Sequence, residues 1–205
     1  TPRATDAAVA HGVGSYRHDD LTSQTCRAVV AFEMRSCGES RRFVRYTEAP
    51  MSQVLDLWNK SRGTAFGRWL CTRLVCRRAP YFASISPLLE VLEPGRCVAS
   101  FAHRRKVRNH IGTVHAIALC NAAELTAGLA TDVSIPPSMR WIPKGMTVRY
   151  LKKAVGRMTA TATLDPRNLE GPARDLEVVV AVRDPSGDAV LDARVTMYLS
   201  ARRAG

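Results

Sequence analysis

Residues 109–128 read NHIGTVHAIALCNAAELTAG. From Val114 to Ala130 the chain is built of Val, Ala, Ile, Leu, Cys, Gly and Thr, joined by His115, Asn121 and Glu124. A helix that is apolar on all sides is buried on all sides. At roughly 17 residues the run is short and too polar for a membrane span. Many of its side chains are small, so a neighbour must pack close to its backbone. A sheet curled around the helix meets both conditions.

The flanking sequence supplies that sheet. Upstream, "SISPLLEVLEPGRCVASFAHRR" reads as two extended pieces around a Pro-Gly turn. Downstream, "PKGMTVRYLKKAVGRMTATATLD" alternates on either side of a Val-Gly turn, with Met158, Ala160, Ala162 and Leu164 on one face. "DLEVVVAVRD" and "AVLDARVTMYLSAR" follow, joined by "DPSGD", whose turn chemistry predicts a hairpin. Before them all, helical signals begin at Pro50, with Met51, Val54, Leu55 and Trp58 on one face. The next stretch, "TAFGRWLCTRLVCRR", carries Phe66, Trp69, Leu70 and Leu74 among Arg68, Arg77 and Arg78, with Arg73 breaking into the apolar positions. The usual amphipathic reading turns this apolar face onto a sheet and the arginines into water; a basic helix lying on a membrane surface is the alternative. The order is therefore short helices, two strands, one long apolar helix and four closing strands, an α+β domain with one antiparallel sheet.

Residues 1–48 differ from the rest. "TPRATDAAVAHGVGSYRHDD" has no period, "MRSCGESRRFVRY" is basic and turn-rich, and only "CRAVVAFEM" reads as a short strand or helix. A flexible basic extension is expected, either a solvated tail or one that touches nucleic acid. The chain opens on Thr1 rather than Met, which fits processing or a misread start, and no basic-then-apolar signal stands there. The formal net charge is +12 over 205 residues, which favours an anionic partner such as nucleic acid, an anionic membrane or a phosphorylated cofactor. The six cysteines, at positions 26, 37, 71, 76, 97 and 120, form no C-x-x-C pair and no zinc-ligand cluster. They read as small apolar fillers in a reducing cytoplasm, and no metal site is expected.

Glu124 is the chemical oddity. Desolvation raises a carboxyl pKa and suits it to act as a general base or nucleophile. The bland alternative is a buried Glu satisfied by Asn121, Thr126 or a backbone group. Nine helical positions from His115 amount to roughly 13 Å of rise and opposite faces, so the two cannot act on one atom from one helix. Two such helices packed antiparallel across a two-fold axis would bring His115 of one chain toward Glu124 of the other, a composite site at a homodimer interface.

Asn109, Gly112 and His115, with Glu124 nine residues beyond the His, match the spacing Asn-x-x-Gly-x-x-His-Gly-Gly plus a later acid. In this the segment resembles the hotdog-fold thioesterases of the PaaI type. The wider frame, "LEPGR", "RRKVRNHIGTVHAIAL" and "RWIPKGMTVRYLKKAVG", is similar to a hotdog family of unassigned function grouped with them. The resemblance covers roughly residues 50–200 and implies a hotdog domain over 49–205: a long central helix wrapped by a curved antiparallel β-sheet, with short N-terminal helices. It implies acyl-CoA thioester hydrolysis, coenzyme A entering only as part of the substrate, in a homodimer or a tetramer. Carried over, Glu124 activates water or attacks the thioester carbonyl, while Asn109 and His115 position that carbonyl or order the loop. The Ala116 or Ile117 amide, at the helix N-terminus, holds the oxyanion. Lys152 and Lys153, with Arg149 as a weaker third, are the candidates for contact with CoA phosphates; the bland alternative for the lysines is a solvated turn.

Two positions depart from the pattern. Ala116-Ile117 replaces Gly-Gly, narrowing the approach to the backbone, and the acid is Glu rather than Asp. A non-catalytic acyl-CoA or fatty-acid binding protein is the second reading. A hotdog dehydratase also carries Glu on this helix but needs His-Phe-Pro upstream, which "FAH" followed by "RRKVRN" does not supply. Nucleic-acid binding rests on charge alone, with no accompanying motif.

Overall fold

In the computed structural model, residues 27–30 and 52–202 are described. The expected extension over 1–48 lies outside them, except for β1 (Arg27–Val30), a strand within the segment read as strand or helix. Two helices follow, α1 (Ser52–Ser61) and α2 (Ala65–Arg78), then a 3-10 turn over Pro80–Ile85. Next come β2 (Leu88–Glu93), β3 (Arg96–Phe101), the long helix α3 (Ala116–Asp132) and four strands. These are β4 (Met139–Tyr150), β5 (Met158–Thr163), β6 (Arg174–Arg183) and β7 (Ala189–Ala201).

All pairings are antiparallel, in the order β1-β4-β7-β6-β5-β3-β2. The turn between β4 and β5 therefore joins strands that are not neighbours: β7 and β6 lie between them. By contrast, β6 and β7 form the expected hairpin. Asp184 Oδ1 accepts from the amides of Ser186 (3.0 Å) and Asp188 (3.1 Å), and Gly187 takes the positive φ the turn requires. Pro94-Gly95 likewise turns β2 into β3, with Gly95 at φ +84°.

Every strand from β2 to β7 touches α3, so the sheet wraps the helix in the curved hotdog arrangement the resemblance implied. Small residues let it do so. Ala122, Ala123, Ala127 and Ala130 of α3 share one core with Ala160 and Ala162 of β5 and Ala193 of β7, all essentially sealed from water. Thr126 and Thr131 are buried there too, and each hydroxyl donates to the carbonyl four residues back, leaving neither unsatisfied. Met158, Ala160 and Ala162 point inward as the alternation predicted. Trp58 anchors α1 in the same core. Cys71, Cys76, Cys97 and Cys120 are buried free thiols, and burial raises the pKa of each.

Helix α2 corrects the sequence reading. Its buried residues are Gly67, Cys71, Thr72 and Cys76, whereas Phe66, Trp69, Leu70 and Leu74 face out. The reason is close approach. A Cβ on Gly67 would sit 2.0 Å from the Ser61 carbonyl oxygen at the end of α1. Thr72 Oγ1 accepts the Leu89 amide of β2 at 3.0 Å while donating to the Arg68 carbonyl at 2.7 Å. Only small side chains fit that seam, so the bulky ones are turned away from it.

Candidate active site

The helix α3 begins where it does because His115 caps it. His115 keeps extended backbone angles (φ −65°, ψ 139°) and its Nδ1 accepts the Ile117 amide at 3.1 Å. His115 is thus the residue before the helix and not its first turn, which corrects the helical angle assumed between it and Glu124. The Ile117 amide, one of the two oxyanion candidates, is committed to that cap. The Ala116 amide, the other, has no acceptor among the described residues. First-turn amides carry partial positive charge and favour an anion.

Asn109 builds the loop that delivers His115. Its Oδ1 accepts the amides of Ile111 (3.2 Å) and Thr113 (3.0 Å), and its Nδ2 donates to Thr113 Oγ1 at 2.7 Å. Gly112, at φ +80°, completes the turn and donates to the Asn109 carbonyl. Both amide atoms of Asn109 are therefore engaged within the loop.

A residue the sequence reading passed over ties this loop down. His103 Nδ1 accepts the Gly156 amide at 3.2 Å, which leaves the ring proton on Nε2 to donate to the Gly112 carbonyl at 3.0 Å. The 109–115 loop is thereby joined to the 151–157 crossover, and Val114 adds a bond from its amide to the Ala154 carbonyl. His103 stood in "FAH", but nothing in its spacing pointed to two carbonyl-and-amide partners in separate loops.

Glu124 sits two turns along α3 and is exposed, one of the few outward positions on a helix otherwise buried. Among the described residues its carboxylate has no hydrogen-bond or ion-pair partner. Asn121 and Thr126, its proposed buried partners, are occupied elsewhere: Asn121 Nδ2 donates to Ser84 Oγ and the Tyr81 carbonyl, and Thr126 bonds its own helix. Partial desolvation nonetheless raises the Glu124 pKa. Close to it, the Cys120 thiol and the Tyr150 hydroxyl of β4 lie 3.1 Å apart, with the Tyr150 pKa raised by burial and by that bond. Asn121 Oδ1, buried, has no partner of its own among the described residues.

The cationic candidates separate by their partners. Lys152 Nζ lies 2.8 Å from Asp184 and 2.6 Å from Asp188, so it staples the crossover to the β6–β7 turn. Arg149 is paired with Asp192 across β4 and β7 at 3.0 Å. Lys153, exposed, is the one of the three with no ion pair among the described residues.

Known proteins share this architecture. The structural-genomics protein APC5556 is 44% identical and superposes with a TM-score of 0.65, over 74% of this chain and 99% of its own. A Pseudomonas aeruginosa protein of unknown function, PA5026, named a probable thioesterase, is 25% identical with a TM-score of 0.58, over 63% of this chain and 92% of its own. The Haemophilus influenzae thioesterase HI1161, at 15% identity and a TM-score of 0.55 over 62% of this chain and 87% of its own, shares the fold. No curated protein matches the chain. Residues 67–199 match the family described as Domain of unknown function (DUF4442). With its wrapped helix, its capped 109–115 turn and these relatives, the chain belongs to that family and has the hotdog fold of the thioesterases it superposes on.

Proposed function

We propose that this protein hydrolyses an acyl-CoA or related acyl thioester, with Glu124 as general base or nucleophile at a site shared by two copies of the chain. The observation that carries the reading is a carboxylate with a raised pKa that has no partner among the described residues, on the same helix whose first amide, Ala116, has none among them either. A base whose pKa is lifted toward neutrality is better matched to taking a proton from water. The amide supplies a donor where negative charge develops on the thioester oxygen.

One chain cannot combine these groups. Eight residues of helix separate Ala116 from Glu124, roughly 12 Å of rise. An antiparallel second helix removes that gap when the two-fold axis passes near Cys120, midway between the two residues, because the first turn of each α3 then faces Glu124 of the other copy. His115 and Asn109 serve this site by holding the turn in place. Lys153 is free to meet a CoA phosphate, whereas Lys152 and Arg149 would first have to leave their aspartates.

Ala116→Pro tests the assignment at one atom. Proline is favoured at the first helical position and removes only the N–H, and the extended His115 backbone suits a following proline. The variant should fold normally and lose activity on a panel of acyl-CoAs, as should Glu124→Ala. Mixing and reassociating the two should restore roughly a quarter of wild-type activity, since half the pairs are mixed and each keeps one intact site. A wild type silent on every chain length overturns the reading, and a mixture as dead as its parents overturns the shared site. The capped Ile117 amide favours a second reading, acyl-CoA binding without turnover. Bound acyl ligand recovered intact after long incubation would select it.

A further inference from the structure

We propose that α2 docks this protein on an anionic lipid surface, a property independent of the chemistry at Glu124. Phe66 is 69% exposed, Trp69 50%, and Leu70 and Leu74 39% each. The two aromatic rings stack on one another, centroids 5.7 Å apart at 29°, so they stand as one preformed wedge. Phe66, Leu70 and Leu74 follow at intervals of four, a continuous apolar ridge along the helix.

Charge selects the partner. Between Asp56 and Glu90 the sequence contains no acidic residue, while Lys60, Arg62, Arg68, Arg73, Arg77 and Arg78 all fall there. Arg73 and Arg77 are exposed and have no ion pair among the described residues. They follow Phe66 by seven and eleven residues, which at 100° per residue puts all three on one meridian of the helix. Arginines therefore share the middle of the apolar face instead of ringing it.

That arrangement distinguishes lipid from the other anionic partners. A protein partner would have to set acidic groups opposite the centre of this apolar face and seal both charges from water, a desolvation cost that offsets much of the pairing. Nucleic acid offers bases for the aromatic rings but no apolar interior for Leu70 and Leu74. At a bilayer surface both needs are met when α2 lies at headgroup depth: the rings and leucines reach the acyl boundary, and the long arginine stems bend back so that their guanidinium groups stay among the phosphates. The small-residue seam on the opposite side of α2, held by Gly67 and Thr72, fixes the helix in the rotation that presents this face.

Flotation of the full chain with vesicles tests the proposal, using equimolar phosphatidylcholine and phosphatidylglycerol against phosphatidylcholine alone. The protein should float with the mixed vesicles and at least about tenfold less with the neutral ones. Phe66→Ser with Trp69→Ser should weaken the first association by about tenfold or more, and Arg73→Gln with Arg77→Gln by roughly tenfold, without lowering Tm. Should the aromatic variant fail to fold, quenching of tryptophan emission by brominated lipid reads the same insertion. It should be strong in the wild type and largely lost in Trp69→Phe. Absence of binding to the mixed vesicles overturns the proposal. So does binding that survives both double substitutions, or quenching unchanged in Trp69→Phe, which would assign the association to another part of the chain. Binding of DNA, and not of vesicles, that falls with the same substitutions would overturn it in favour of nucleic acid.

Discussion

Helix α3 is apolar nearly all the way round and buried nearly all the way round, whereas α2 has a large apolar face and keeps it in water. The two obey different constraints. For α3 the number of strands around it decides burial, and any rotation about its axis would still bury most of it. For α2 only one side meets the rest of the protein, and that side buries the small residues Gly67, Cys71, Thr72 and Cys76, with Val75 packed at its margin. Steric fit then outweighs hydrophobicity. The comparison also locates function: on α3 the exception is a carboxylate facing out, and on α2 it is a set of rings and leucines facing out.

The sharpest way to break this contrast is at Glu124. Glu124→Ala should lower kcat by roughly a thousandfold in an acyl-CoA hydrolysis assay, and undiminished turnover would return the residue to an ordinary surface glutamate. Its raised pKa also has a direction in pH. The folded state favours the protonated carboxyl, so the acid limb of kcat/KM should lie above the usual carboxylate range. The ionised group opposes folding, an effect absent below the unfolded pKa and complete above the folded one. Glu124→Gln should accordingly raise Tm slightly at neutral pH and leave it unchanged in strong acid.

Next in size is the core. Leu125→Ala on α3, a buried leucine, should cost about 3 kcal/mol in denaturant unfolding. Leu70→Gln and Leu74→Gln on α2 should each stay within about 0.5 kcal/mol of wild type. Equal losses would mean that α2 is turned the other way. The two helical glycines give the finest comparison. Gly67→Ala drives a methyl into the Ser61 carbonyl and should cost about 2 kcal/mol. A Cβ on Gly128 meets only the tip of the Trp141 ring, at 3.0 Å. The helix-propensity gain of about 1 kcal/mol should offset that crowding, and Gly128→Ala should be close to neutral.

Much of the fold was readable from particular residues. Met158, Ala160 and Ala162 alternate, Pro94-Gly95 and the Asp184–Asp188 turn announce their hairpins, and Val114–Ala130 has the all-round apolar character of an enclosed helix. These signals are local, and local backbone chemistry produces them. The site was readable as a spacing, from Asn109 to Glu124, but not as a set of bonds. That His115 would take the Ile117 amide, that Lys152 would be held by two aspartates over thirty residues away, and that Asn109 would spend both amide atoms on its own loop all depend on where chains turn. His103 is the plainest case, since its two partners, Gly112 and Gly156, come from loops that meet only because the crossover passes over the start of α3.

By itself, then, the sequence determined the order of elements, the helix that must be enclosed, and the charge that a partner must complement. Those follow from hydrophobic period, turn chemistry and composition, which act within a few residues or as sums over the chain. The tertiary structure alone decided which face of α2 meets the core, because a 2.0 Å clash at Gly67 overrides the preference of phenylalanine and tryptophan for the interior. It also decided which amide at the head of α3 is left open, because a single imidazole can accept only one of them.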